Sequence, residues 1–204
     1  MSIKRALRMI ETVPSGEGQE VEILHQFVRD MLEYPVEKLP RVTGRTRKAD
    51  FVELLVGGPE LHRHVSSHGN GQGLYLHGRR GTVVRAEDLQ RGCQGKPLKG
   101  RFLTVSACGE PTVDYWNSLH ECSGVEAIIA PMAAVSFSDS ALFYMAFYFA
   151  LFRLPDARDK KETPERLSDF IDTFQRVKSS FLGLGGRGAF RLLFWSSGTL
   201  REIV

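Results

Sequence analysis

Two short stretches give the clearest evidence for the fold: HVSSHG at residues 64–69 and FLTVSACG at residues 102–109. Each is a short run rich in apolar or β-branched residues that ends in a reactive side chain followed by glycine, which is typical of a strand in a parallel sheet. Parallel strands present their carboxyl ends at one edge, where open α/β sheets hold their functional sites. The two stretches therefore predict an α/β fold with His68 and Cys108 at the same edge.

Strand and helix patterns alternate along the rest of the chain. Apolar residues recur at helical spacing in three segments: Glu20–Glu33, Ser140–Phe152 and Pro164–Phe181. Short apolar runs predict further strands at Arg5–Val13 and Val125–Ala130. Such alternation is typical of an α/β protein, and at 204 residues we expect a single domain over residues 1–204.

Composition excludes several classes of function. Hydrophobic residues are 42% and charged residues 25%, as in ordinary globular domains, and a net charge of +3 is too small to indicate a nucleic-acid partner. Three cysteines without a CxxC pair argue against a disulfide framework and favour a reducing compartment, the cytoplasm. Met1–Thr12 lacks the apolar run of a signal peptide. The apolar stretch Ser140–Leu154 is short for a membrane span, so we expect a buried helix and no membrane contact.

A thiol and an imidazole at one sheet edge can act as a nucleophile and its proton acceptor. Cys108 would attack a peptide carbonyl as the thiolate, while His68 would take up and return the proton. The N–H groups of Gly69 and Cys108 would hold the developing oxyanion. The competing interpretation is a buried strand-end cysteine and a loop histidine, and the pairing of the two motifs favours catalysis. Cys93 and Cys122 lie in polar segments, which predicts exposed or packing positions and no nucleophilic role.

The other histidines offer a metal site as an alternative. His62 and His64 alternate along a strand and so share a face, and His77 or His120 could complete a ligand set. No aspartate or cysteine lies at ligand spacing nearby. We therefore expect no metal, and structural roles for His62 and His64.

The order and spacing of these motifs resemble the caspase-like cysteine peptidases, which include caspases, metacaspases, separases and the bacterial CHAT peptidases. Residues 68–76, HGNGQGLYL, are similar to the HG-x-x-x-G-apolar segment of the CHAT branch, and residues 105–108, VSAC, to its L-S-A-C segment. The strand, acidic loop and helix over residues 125–151 resemble the segments that follow that cysteine. On these two segments the chain looks closest to the CHAT branch. The caspase signature Q-A-C-[RQG]-G is not matched, because Ser106 replaces its glutamine and Glu110 follows Gly109, which argues against a true caspase.

This resemblance implies a caspase-like fold, a three-layer α/β/α sandwich with a mostly parallel central sheet. It implies a cysteine endopeptidase without a cofactor, acting on a protein or peptide in bacterial defence or signalling under the control of an activating or inhibiting protein partner. An acidic residue before the later helix would bind a basic P1 side chain, a role that falls on Asp139, and Ser106 is also expected to contact substrate. Asp139 could instead cap that helix. The alternative function is an inactive fold that serves as a protein-binding module.

Overall fold

The computed structural model describes residues 4–17, 19–43, 45–77, 81–93, 101–109, 111–153, 166–180 and 189–204, and at Cys108 it describes the main chain alone. The strands are β1 (Lys4–Glu11), β2 (Val36–Lys38), β3 (Glu60–Asn70), β4 (Gly73–Leu76), β5 (Thr82–Val84), β6 (Phe102–Cys108), β7 (Ala127–Pro131), β8 (Phe190–Ser196) and β9 (Thr199–Ile203). The helices are α1 (Glu20–Gln26), α2 (Lys48–Val56), α3 (Ala86–Cys93), α4 (Val113–Ser123), α5 (Phe137–Phe152) and α6 (Leu167–Ser180).

Most predicted elements are present, with shifted ends. The first predicted helix divides into α1 and a π-helical stretch over Phe27–Met31, and Pro35 follows before β2. A proline disfavours helical backbone in the residue before it, which limits how far this segment can extend. The strand β9 was not predicted, because its residues alternate weakly between apolar and charged.

The sheet has the strand order β2-β1-β3-β6-β7-β8-β9, and the hairpin of β4 and β5 extends from the end of β3. The strands β2, β1, β3, β6 and β7 are parallel to one another. The strand β8 runs antiparallel to β7, and β9 runs antiparallel to β8. The prediction of an α/β fold with a mostly parallel sheet is therefore confirmed.

Helices cover both faces of the sheet, which gives three layers. Side chains of β6 alternate between the faces: Leu103, Val105 and Ala107 enter a core shared with α2, α3 and α4. On the other face, Phe102 packs into a core shared with α1, α5 and α6. The predicted buried helix is α5, half of whose side chains are buried. Within the described segments, no helix combines the length and apolarity needed to cross a bilayer.

The topology creates a crevice at the carboxyl edge. After β1 the chain passes through α1 to β2, which lies on one side of β1 in the sheet. The strands β3 and β6 lie on the other side of β1. Loops that leave such a switch point diverge, and open α/β sheets bind their ligands there. The loop after β1 and the end of β3 therefore border the position where a site is expected.

Candidate active site at the carboxyl edge of the sheet

The strands β3 and β6 carry a ladder of polar residues in register. His64 pairs with Thr104, Ser66 with Ser106, and His68 with Cys108. Neighbouring strands lie about 4.8 Å apart, so positions 68 and 108 are adjacent at the ends of these two strands. The backbone thus brings together the two positions that the sequence selected.

Two glycines allow the chain segments beyond this pair to approach each other closely. A Cβ atom on Gly69 would lie 2.5 Å from the carbonyl oxygen of Gly109. A Cβ on Gly109, whose φ is +107°, would collide with the carbonyl oxygen of Gly69. Only glycine fits at either position. The main chain after the histidine and the main chain after the cysteine therefore contact each other directly.

His68 is held by a carboxylate that the sequence analysis did not identify. Its side chain is 4% exposed, and its Nε2 lies 2.6 Å from Oε2 of Glu17, whose own side chain is 47% exposed. A carboxylate only accepts, so Nε2 carries a proton and, in the neutral ring, Nδ1 carries the lone pair. Nδ1 is buried and has no hydrogen-bond partner in the described structure. The ring of Phe137, in the first turn of α5, packs edge-on against the imidazole at 5.5 Å between centroids.

A second carboxylate, Glu20, is buried beneath this pair. Ser66 donates a hydrogen bond to its Oε2 at 2.9 Å. Burial raises the pKa of Glu20 to about 7, although hydrogen bonds from Ser106, Ser66 and Ser140 act in the opposite direction. Ser106, the predicted substrate contact, is itself only 2% exposed and lies against this carboxyl group. Ser66 and Ser106 thus connect the edge of the sheet with an interior acid.

His64 lies one step deeper along the same face. Its Nδ1 is 3.0 Å from both the hydroxyl of Thr104 and that of Tyr148, and its Nε2 is 3.9 Å from Oε1 of Glu20. Burial lowers the pKa of His64 to about 3. The imidazole is therefore neutral at ordinary pH, and its contacts join β3 to β6 and α5.

The remaining histidines of the metal hypothesis lie in separate places. His62 is surrounded by the rings of Tyr34, Phe102, Phe152 and Phe170. His120 stacks on Trp195 and contacts the carbonyl of Val125 through Nδ1 at 2.7 Å. In the part of the chain that is described, no three His, Cys, Asp or Glu side chains come together as a metal site would require.

Asp139 lies in the cap of α5. The helix begins at Phe137 with Ser136 as its N-cap, whose hydroxyl accepts from the Asp139 N–H at 3.0 Å and donates to the Asp139 carboxylate at 2.8 Å. Asp139 is therefore the third helical residue and closes the cap through its side chain. It shares the first turn of α5 with Phe137, so it lies on the same edge of the sheet as His68.

Cys93 and Cys122 occupy packing positions, one of the two alternatives that the sequence predicted for them. Cys93 is completely buried at the end of α3, and Cys122 is partly buried on α4 against the same core. The helix α3 continues to Cys93, which places this residue in the core shared with α4.

No family model and no curated protein matches this chain. One similar solved structure is oxidised flavodoxin 2 from Bacillus cereus, with 17% identity and a TM-score of 0.34 over 57% of this chain and 73% of that chain. Another is the Streptococcus pneumonia TIGR4 flavodoxin, with 13% identity and a TM-score of 0.35 over 85% of this chain and 94% of that chain. We transfer no function from similarities of this size.

The assignment to the caspase-like peptidases, with the CHAT branch as closest, is wrong. The two solved structures named above are flavodoxins, and neither a family model nor a curated protein supports a caspase-like family. The motifs that carried the resemblance are only a few residues long. A strand that ends in His-Gly and another that ends in Ala-Cys fit many parallel sheets, so they indicate the α/β architecture and not a family.

Proposed function

We propose that this protein is a cysteine endopeptidase in which Cys108 is the nucleophile and His68 is the general base. The observation that supports this most is the in-register pairing of the two residues at the carboxyl ends of β3 and β6. The proposal does not depend on a family, because it follows from the chemistry of a thiol beside an oriented imidazole. A role in bacterial defence or signalling stays a prediction.

The reaction would proceed through a thioester. Nδ1 of His68 takes the proton of the Cys108 thiol, and the thiolate attacks the carbonyl carbon of the scissile peptide bond. The C–N bond then breaks, and the leaving amine receives the proton from His68. A water molecule, deprotonated by His68, attacks the thioester, releases the acid product and restores the thiol.

Glu17 would act as a positioning residue in this reaction. Its carboxylate accepts the Nε2–H at 2.6 Å, which selects the tautomer with a free Nδ1 and favours the imidazolium formed after proton uptake. Because Glu17 is nearly half exposed, solvent weakens its electrostatic effect. Its contribution is therefore mainly one of orientation.

The main-chain contact between the two strand ends suits an oxyanion hole. The tight approach of Gly69 and Gly109 leaves no side chain between the main-chain segments that follow His68 and Cys108. N–H groups of Gly69 and Cys108 directed at the scissile carbonyl would stabilise the negative charge on its oxygen. Donors fixed by a sheet need little reorganisation during the reaction.

A basic residue at P1 fits an acid at this edge. Asp139 lies in the first turn of α5, and its carboxylate would pair with an entering guanidinium or ammonium group, although Ser136 already occupies one of its oxygens. Ser106, the other predicted substrate contact, lies deeper against the buried carboxyl group of Glu20.

The decisive test is hydrolysis of a peptide library by the wild type and by Cys108→Ala. We expect turnover that is lost in the variant, and labelling of Cys108 by a peptide electrophile ahead of the other thiols. Cys122→Ser is the matched control, because it removes another cysteine and should leave turnover unchanged. Full activity in Cys108→Ala, or no hydrolysis by the folded wild type, would reject the peptidase and favour a binding module.

A further inference from the structure

The two cysteines outside the proposed active site lie against each other. Cys93, at the end of α3, belongs to a buried core cluster, and Cys122 on α4 packs against this cluster. Independently, Sγ of Cys122 is 3.7 Å from the carbonyl oxygen of Leu89, one helical turn before Cys93. Residues four apart share one face of a helix, so this contact places Cys122 over the face that carries Cys93.

The environments of the two thiols differ in a way that suits stepwise oxidation. Cys122 is partly exposed, whereas Cys93 is completely buried. The neighbouring Cys93 thiol lowers the pKa of Cys122, whereas Cys122 raises the pKa of Cys93. The accessible thiol is therefore the better thiolate, and the buried thiol is in position to resolve an oxidised partner.

We propose that Cys93 and Cys122 are a thiol-oxidation site, which hydrogen peroxide converts reversibly into an intramolecular disulfide. The Cys122 thiolate attacks one peroxide oxygen, the O–O bond breaks, and Cys122 becomes a sulfenic acid while the released hydroxide takes a proton to form water. The Cys93 sulfur then attacks the Cys122 sulfur, the S–O bond breaks, and the departing hydroxide leaves as a second water with the Cys93 proton. Two thiols and one peroxide thus yield one disulfide and two waters.

The disulfide would close a chain segment that contains the whole of β6. This segment starts at the end of α3, includes the strand that ends in Cys108, and finishes in the last turn of α4. A link across it reduces the conformational freedom of the unfolded chain, so oxidation should stabilise the folded form. For a chain of this length we expect the melting temperature to rise by about 5–10 °C.

The experiment uses the full chain with Cys108→Ala, because the chain has only three cysteines and this variant leaves the proposed pair alone. After dilute hydrogen peroxide, we expect an intact mass lower by about 2 Da, loss of both alkylatable thiols, and full reversal by dithiothreitol. The matched control adds Cys93→Ser, which should leave Cys122 to gain oxygen atoms. Two thiols that still alkylate after peroxide, oxygen addition at Cys122 beside a reduced Cys93, or a disulfide between two molecules would overturn the proposal.

Discussion

Two histidines on the same face of β3 each lie near a glutamate, and the two pairs differ in distance and in the exposure of the glutamate. At the edge, Nε2 of His68 is 2.6 Å from Glu17, which is nearly half exposed. Four residues earlier in β3, Nε2 of His64 is 3.9 Å from Oε1 of Glu20, and both side chains are completely buried. The residue types are identical, so burial and distance make the difference.

Below pH 7 the deeper pair is mostly neutral, whereas the edge pair includes a carboxylate that is nearly half exposed. Burial raises the pKa of Glu20 to about 7 and lowers that of His64 to about 3. A carboxylic acid and a neutral imidazole avoid the large cost of burying charges. At the edge, Nδ1 of His68 has no hydrogen-bond partner in the described structure, so it is available as a proton acceptor, which a general base requires. The comparison therefore separates a structural histidine from a candidate catalytic one.

The largest change in activity and the largest loss of stability are expected from substitutions of the two histidines. His68→Ala should lower kcat/KM by roughly 10²- to 10⁴-fold, the usual contribution of a general base, and leave the fold intact. His64→Ala should instead lower the free energy of unfolding by about 2–4 kcal/mol, because it leaves a cavity and unpaired hydroxyls on Thr104 and Tyr148. Peptide hydrolysis and urea unfolding of both variants measure this. Equal losses of activity per folded molecule would show that the two positions are not functionally distinct.

The second prediction concerns the buried acid and pH. Because the folded pKa of Glu20 is raised from 4.5 to about 7, its contribution to stability is complete below pH 4.5 and is lost as the pH rises toward 7. This loss amounts to about 3 kcal/mol. Glu20→Gln removes the titration, so the difference in unfolding free energy between wild type and variant should change by that amount from pH 4.5 to 8.

The experiment is urea unfolding at several pH values, with Glu22→Gln as the control. Glu22 also lies on α1, but it is exposed and its pKa is lowered by a hydrogen bond with Lys38. The control should not flatten the pH dependence between pH 5 and 8. Parallel stability curves for wild type and Glu20→Gln would contradict the raised pKa.

The third prediction tests whether the Glu17 carboxylate orients His68. Glu17→Ala should lower kcat by about 10- to 100-fold with little change in KM, because the imidazole loses the acceptor that orients it. Glu17→Gln should lose less, since its amide oxygen can still accept the Nε2–H. Steady-state kinetics on one peptide series would measure both. A rise in KM at constant kcat would mean that Glu17 contacts substrate instead of positioning His68.

The smallest expected effect concerns α5, which contacts both pairs. Its first turn holds Phe137 against His68, and its later turns hold Tyr148 against His64. Ser136→Ala removes the N-cap and should lower the free energy of unfolding by about 1 kcal/mol, with a modest loss of activity as the first turn loosens. Ser138→Ala, an exposed position in the same turn, is the matched control and should change neither. Identical unfolding curves for the two variants would exclude the capping role.

Sequence patterns were sufficient to predict the α/β architecture and the placement of His68 and Cys108 at one edge of the sheet. Both rest on regular features: strand and helix periods are readable in one dimension, and parallel strands end at one edge. Short motifs did not carry enough information to assign a family, because the same strand endings fit many parallel sheets.

Contacts between distant elements fix which side chains complete the edge site. Glu17 lies far from His68 in the chain and belongs to no motif, yet the turn after β1 brings it within 2.6 Å of Nε2. Glu20 occupies a helical position that the apolar pattern did not distinguish from its exposed neighbours, and only the packing of α1 against β3, β6 and α5 buries it. Cys93 meets Cys122 because α3 continues to Cys93 and packs against α4. Such contacts depend on distances between elements, and no local spacing encodes them.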